Sequence, residues 1–157
     1  MTRRPYIDKT HPEIYRAMNA AVLAGRKAYD DAGLPRDLVE LVNVRVSQIN
    51  GCPTCLSVHV PAARKAGVDE LTLDLLPSWR HDSSGQFTGT QRAALGLAEA
   101  LTAPQPGTGR PSVDTAVAEA AAEFTEQQIG ALEWAIILIN SYNRISIGSG
   151  HPPVPQS

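Results

Sequence analysis

Residues 40–67 read ELVNVRVSQINGCPTCLSVHVPAARKAG, and this stretch decides the fold. Its first half is apolar on most of its surface at helical spacing and stops at Asn50–Gly51, a helix-stop signal. A second helical run opens at Cys52 or Pro53 and closes at Gly67. The spacing therefore predicts two helices joined by a tight turn. Pro61 lies inside the second and predicts a kink or a split, because proline removes an N–H and its ring crowds the preceding turn.

The same periodicity continues on both sides. A helix over Pro12–Asp31, closed by Gly33, precedes one that begins near Pro35, whose fixed φ suits a first turn. Downstream come a short helix from Asp69 to Leu76, a loop over PSWRHDSSGQFTGT (77–90) and a helix on QRAALGLAEALT (91–102). The segment APQPGTGRP (103–111) packs three prolines and two glycines into nine residues and reads as a linker within one domain. Two helices should follow it. The last is capped by Thr125, answered by Gln128, and runs through Arg144. The tail GHPPVPQS (150–157) is expected to fray. No segment shows the strict alternation of a half-buried strand, so the expected fold is all-α, a single domain over 1–157 with its core in about 10–148. The stretch ALEWAIILIN (131–140) is apolar nearly all round, which predicts burial in the core or against another copy of the chain.

A chain of 157 residues is the size of one domain and buries roughly 68–70% of its unfolded surface without needing staples. Its 14 basic and 16 acidic side chains give a charge of −2, with no run of like charge. Nucleic acid and anionic membrane are therefore not expected partners. The N-terminal arginines are followed by no apolar stretch of signal-peptide length, and no segment approaches the ~18 apolar residues of a span. A cytoplasmic location is expected, where a lone close cysteine pair is more often catalytic or metal-binding than structural.

On a helix starting at Cys52, positions 52, 55, 56, 59, 63 and 66 share one stripe, which puts Cys52, Cys55 and His59 on the same face. Cys52 stands at the helix N-terminus, where backbone N–H groups favour a thiolate, and Cys55 has His59 one turn on. Such pairs commonly have a thiol pKa of roughly 3.5–7.5, against about 8.5 for a free cysteine. Glu40, Asn43 and Ser47 form a polar stripe on the preceding helix. Position alone favours a solvent-facing Glu40 beside Arg36 or Arg45; facing inward, it would gain a raised pKa from burial.

The segment from Glu40 to Gly67 resembles the AhpD-like alkylhydroperoxidase branch of the carboxymuconolactone decarboxylase family. That family's pattern is Glu, eleven residues, Cys-x-x-Cys, three residues and His, and Glu40, Cys52, Cys55 and His59 match it. FTGTQRAALGLAEALT (87–102) and INSYNR (139–144) are similar to family segments too. The resemblance implies an AhpD-like helical bundle assembled as a homotrimer or homohexamer. It implies that Cys55 attacks an organic hydroperoxide or a disulfide, that Cys52 resolves it, and that His59 and Glu40 relay protons. A small or protein dithiol would restore the pair, and no cofactor is implied. Helix-dipole reasoning alone would make Cys52 the nucleophile. AhpD itself carries a further histidine between the cysteines, where this chain has Thr54, so the relay is one group shorter.

Rival readings remain. A lyase of the same family would use Glu40 and His59 without thiol turnover, and a non-enzymatic redox sensor would use the disulfide alone. A closed zinc site needs a fourth ligand beyond the two cysteines and His59, which His11, His81 or His151 would have to supply from a distance, so no metal is expected. Those three histidines read as solvated side chains, and Trp79 and Trp134 as packing residues. Asn140, Asn143 and Arg144 read as support for the active-site helices.

Overall fold

The computed structural model describes residues 4–103 and 111–155, and every regular element among them is helical. The helices are α1 (Ile7–Thr10), α2 (Pro12–Asp31), α3 (Arg36–Asn50), α4 (Pro53–Ala66), α5 (Glu70–Leu75), α6 (Gly89–Thr102), α7 (Val113–Ala120) and α8 (Glu126–Ser149). Most of the linker expected over 103–111 lies outside the described residues. None of the described helices is long and apolar enough to cross a membrane.

α3 is the central element because its sequence is apolar on two sides. Val42 and Val46 join Leu97, Leu132 and Ile136 in one cluster, while Leu41 and Val44 join Ala63, Leu76, Trp79 and Leu95 in another. α4, α6 and α8 accordingly pack around it. Each large apolar side chain buried this way contributes roughly 1.5–3 kcal/mol. α3 stops at Gly51, whose φ of 64° turns the chain back into α4. A Cβ there would meet open space, so the left-handed backbone alone is what calls for glycine. α4 then runs unbroken across Pro61, without the expected split.

Between α5 and α6 the structure departs from the expected loop. Leu76–His81 forms a 3₁₀ segment, held from the core side. Glu99, 1% exposed, receives Trp79 Nε1 at 2.9 Å, Arg80 Nε at 2.7 Å and Arg45 Nη2 at 2.6 Å. Arg92 donates to the carbonyls of Trp79 and Asp82. Trp79 is thus a packing residue tied to Glu99. α6 opens on a capping box, Thr88 with Gln91, and α8 on the expected one, Thr125 with Gln128.

α8 buries Leu132, Ala135, Ile136 and Ile139, yet its outer side leaves Trp134 58% and Ile137 47% exposed. Trp134 is therefore not a packing residue within one chain. The helix continues past Arg144 to Ser149 and ends at Gly150, φ 68°. α2 buries only Gly25, where a Cβ would come within 2.8 Å of Tyr29 Oη and 3.0 Å of Leu138 Cδ1, so glycine permits its approach to α8.

Both chain ends dock. Arg4 Nη1 donates to the Ile147 carbonyl at 2.8 Å and the Ile7 N–H to Ser149 Oγ at 3.2 Å. The tail crosses α4: Thr54 Oγ1 donates to the His151 carbonyl at 2.6 Å, and the Val154 N–H to Ser57 Oγ at 2.8 Å. The expectation of a frayed tail is corrected through Val154, because these hydroxyls supply partners that no local pattern announces.

Candidate active site

The start of α4 places both cysteines in one turn, with free thiols whose sulfurs lie 2.8 Å apart. Cys52 is the N-cap of α4: its Sγ accepts the Cys55 N–H at 3.3 Å, and it is fully buried. Cys55 lies in front of it and lines a cavity of about 480 Å³ shared with Glu40 and His59. Apolar side chains from α2 and α8, among them Val22, Leu138 and Ile139, also line it.

Glu40 is inward and 5% exposed, which overturns the solvent-facing reading from position alone. Its Oε2 stands 2.7 Å from His59 Nδ1 and accepts from Asn43 Nδ2 at 3.4 Å, while Arg36 reaches its Oε1 at 3.1 Å. Arg45 turns away to Glu99. Burial pushes the Glu40 carboxyl upward, but the hydrogen bond and charge of His59, with Asn43 and Arg36, outweigh it and hold the pKa below the usual value. The expected rise is therefore reversed: Glu40 is a carboxylate that orients an imidazole.

The Cys55 thiol also departs from expectation. Burial, and then the neighbouring Cys52 sulfur, push the Cys55 thiol up to about 12, against the opposing pull of the Asn143 amide and the Ser146 hydroxyl. Desolvation outweighs the acidity expected of a Cys-x-x-Cys pair beside an imidazole. Cys55 therefore rests as a thiol.

Comparison with known proteins identifies the family. The sequence model of the carboxymuconolactone decarboxylase family matches residues 12–100, more than half of the chain. The chain belongs to the carboxymuconolactone decarboxylase family. Within it, this member is AhpD-like. It is similar over 99% of its length, with TM-score 0.80 and 30% identity, to the whole crystal structure of an Agrobacterium tumefaciens protein of unknown function, proposed to be the antioxidant defence protein AhpD. It is also 34% identical over 120 residues to the uncharacterised protein YdfG of Bacillus subtilis (strain 168), covering 76% of this chain and 78% of that one.

In this carboxymuconolactone decarboxylase family member, α8 supports the site more closely than its sequence announces. Asn143, fully buried, accepts from Asn50 Nδ2 at 2.8 Å and donates to Ser47 Oγ at 3.1 Å, besides holding the Cys55 sulfur. Asn140 accepts from the same Asn50 amide, and Arg144 caps Asn140. Ser146, 3.9 Å from Cys55 Sγ, was missed from sequence; its place three residues after Asn143 on one helix was the available signal. Among the described residues no three His, Cys, Asp or Glu side chains converge as metal ligands. His11 pairs with Thr10, and His151, read from sequence as a solvated tail residue, is instead partly buried against Asp8.

Proposed function

We propose that this protein is a thiol-dependent peroxidase, a dithiol–disulfide oxidoreductase that reduces an organic hydroperoxide or disulfide and is restored by a small or protein dithiol. The observation that carries the reading is the order of the sulfurs: Cys55 lines the cavity and Cys52 waits 2.8 Å behind it, fully buried. On this reading His59, oriented by Glu40, takes the Cys55 proton directly or through one water as substrate enters. Base catalysis of this kind contributes typically about 10²–10⁴-fold. The Asn143 amide and Ser146 hydroxyl support the thiolate. The thiolate attacks one peroxide oxygen, the O–O bond breaks, and the leaving alkoxide takes a proton. Cys55 becomes a sulfenic acid; Cys52 attacks it, water leaves, and the disulfide closes before further oxidation. A dithiol then reduces the disulfide by exchange. With Thr54 between the cysteines, the relay rests on Glu40 and His59.

The same reading places the protein in the cytoplasm as a single-domain homotrimer or homohexamer. The apolar outer side of α8, with Trp134 and Ile137, and the exposed Ile14 and Leu23 of α2 favour burial against further copies.

The test is hydroperoxide consumption with a supplied dithiol. Cys55→Ser abolishes it, and Cys52→Ser leaves Cys55 trapped as sulfenic acid. Turnover that is unchanged in Cys55→Ser contradicts the assignment, and an activity that survives loss of both thiols supports the lyase reading built on Glu40 and His59.

A further inference from the structure

The C-terminal tail contributes one side chain to the cavity around Cys55. His151 lines it beside Thr54, Cys55 and Ser146. Its N–H donates to the Ser146 carbonyl at 3.0 Å, and three further contacts fix this residue. Its carbonyl accepts from Thr54 Oγ1 at 2.6 Å, its Nε2 lies 3.1 Å from Asp8 Oδ1, and the Tyr6 ring meets its imidazole edge-on with centroids 4.7 Å apart. Both polar partners are largely withdrawn from solvent, with side-chain exposures of 19% for His151 and 9% for Asp8; Lys9 Nζ stands 3.7 Å from the other Asp8 oxygen. A surface tail has no need of such ordering, which costs conformational entropy at every fixed residue.

The arrangement repeats that of Glu40 and His59. Each is a carboxylate fixed on one ring nitrogen of an imidazole, which sets the role left to the other. One pair comes from α3 and α4, the other from α1 and the tail, and both histidines line the cavity that holds Cys55. Hydroperoxide reduction needs two proton transfers at two different atoms: one away from the attacking sulfur, one onto the departing oxygen. A single imidazole would have to reach both.

We propose that His151, held by Asp8, is the general acid of the reaction and protonates the leaving oxygen, an inference that rests on the hydroperoxidase reading above. As the Cys55 thiolate forms the S–O bond, the O–O electron pair departs with the distal oxygen and takes a proton from the His151 imidazolium. The products are the sulfenic acid, the alcohol and a neutral imidazole, which regains its proton from solvent.

The test compares single-turnover oxidation of Cys55 in the full chain by two oxidants. tert-Butyl hydroperoxide expels an alkoxide that needs a proton, whereas 3-chloroperoxybenzoic acid expels a stable carboxylate that needs none. His151→Ala should slow the first reaction by roughly 100-fold, the lower part of the range for proton transfer by a positioned side chain, and the second far less. Added imidazole should restore part of the first rate, and Asp8→Asn should show the same oxidant selectivity in weaker form. Equal slowing with both oxidants and no rescue by imidazole would mean that the tail only shapes the cavity, and overturns the proposal, as does an unaltered rate with tert-butyl hydroperoxide. A wild-type protein that neither oxidant touches overturns the hydroperoxidase reading itself.

Discussion

Replacing Glu40 by Gln removes one charge from a buried pair while keeping its shape. In the native site the carboxylate accepts from His59 Nδ1 at 2.7 Å and from Asn43, with Arg36 at its other oxygen. A carboxylate about 4 Å from the centre of an imidazolium stabilises that cation by about 4 kcal/mol at an effective dielectric of ~20. Water in an open cavity reduces this, and half of it, about 2 kcal/mol, corresponds to roughly a 30-fold change in rate. Because Cys55 rests protonated, the imidazolium that forms when its proton is taken is the species that feels the loss. Glu40→Gln should therefore slow formation of the Cys52–Cys55 disulfide by roughly 30-fold at neutral pH. Rapid mixing with a hydroperoxide, alkylation of remaining thiols and mass spectrometry would follow it, with thermal unfolding as a check that the fold persists. A folded variant that closes its disulfide at the wild-type rate would refute the role given to the Glu40–His59 pair.

Three further outcomes follow from the same geometry. Glu99→Gln leaves Arg45 and Arg80 without their buried counter-charge and should cost about 3–5 kcal/mol in a urea titration near neutral pH. Burial raises the Glu99 carboxyl, but Arg80, Trp79 and Arg45 together bring its pKa below the usual value. Its stabilisation is thus complete above the unfolded carboxylate range and fades as pH falls through the folded pKa. The gap between wild type and variant should narrow in acid, and a gap that does not change with pH would contradict this. Asn143→Ala removes a donor to the Cys55 sulfur, a bond worth about 1.5–3 kcal/mol when the acceptor is charged; iodoacetamide should label Cys55 more than tenfold more slowly, to an order of magnitude, at fixed pH. Trp134→Glu, at an exposed site on α8, should leave the monomer folded by circular dichroism but lower the mass seen by light scattering; an unchanged mass would remove this face from any interface.

The helical framework was legible because its signals are local. Asn50–Gly51, Pro53 and Gly67 bound α4 by backbone chemistry alone, and Thr125 with Gln128 opens α8 as their spacing requires. The 3₁₀ segment was not legible, because Leu76–His81 is shaped by Glu99 and Arg92, remote in sequence. The site divides the same way. Cys52, Cys55 and His59 lie within two turns of one helix, so helical spacing brings them together. The inward turn of Glu40 depends on which face of α3 meets α4, and position alone pointed the wrong way. The thiol of Cys55 was expected to be acidic from its Cys-x-x-Cys pairing and the His59 imidazole one turn on, but depth of burial is a tertiary quantity and it reverses the sign. Asp8 and His151 meet only because the N-terminal segment docks on the end of α8, which no local pattern records.

The role of the thiol pair is open to one decisive experiment. The reduced protein, freed of dithiol, is mixed with a single equivalent of an alkyl hydroperoxide; free thiols are counted and the intact mass is read. The structure predicts that both thiols vanish together as a Cys52–Cys55 disulfide, with loss of two hydrogens and no added oxygen, and that a dithiol brings both back. Two thiols that persist while the peroxide remains unconsumed would contradict it.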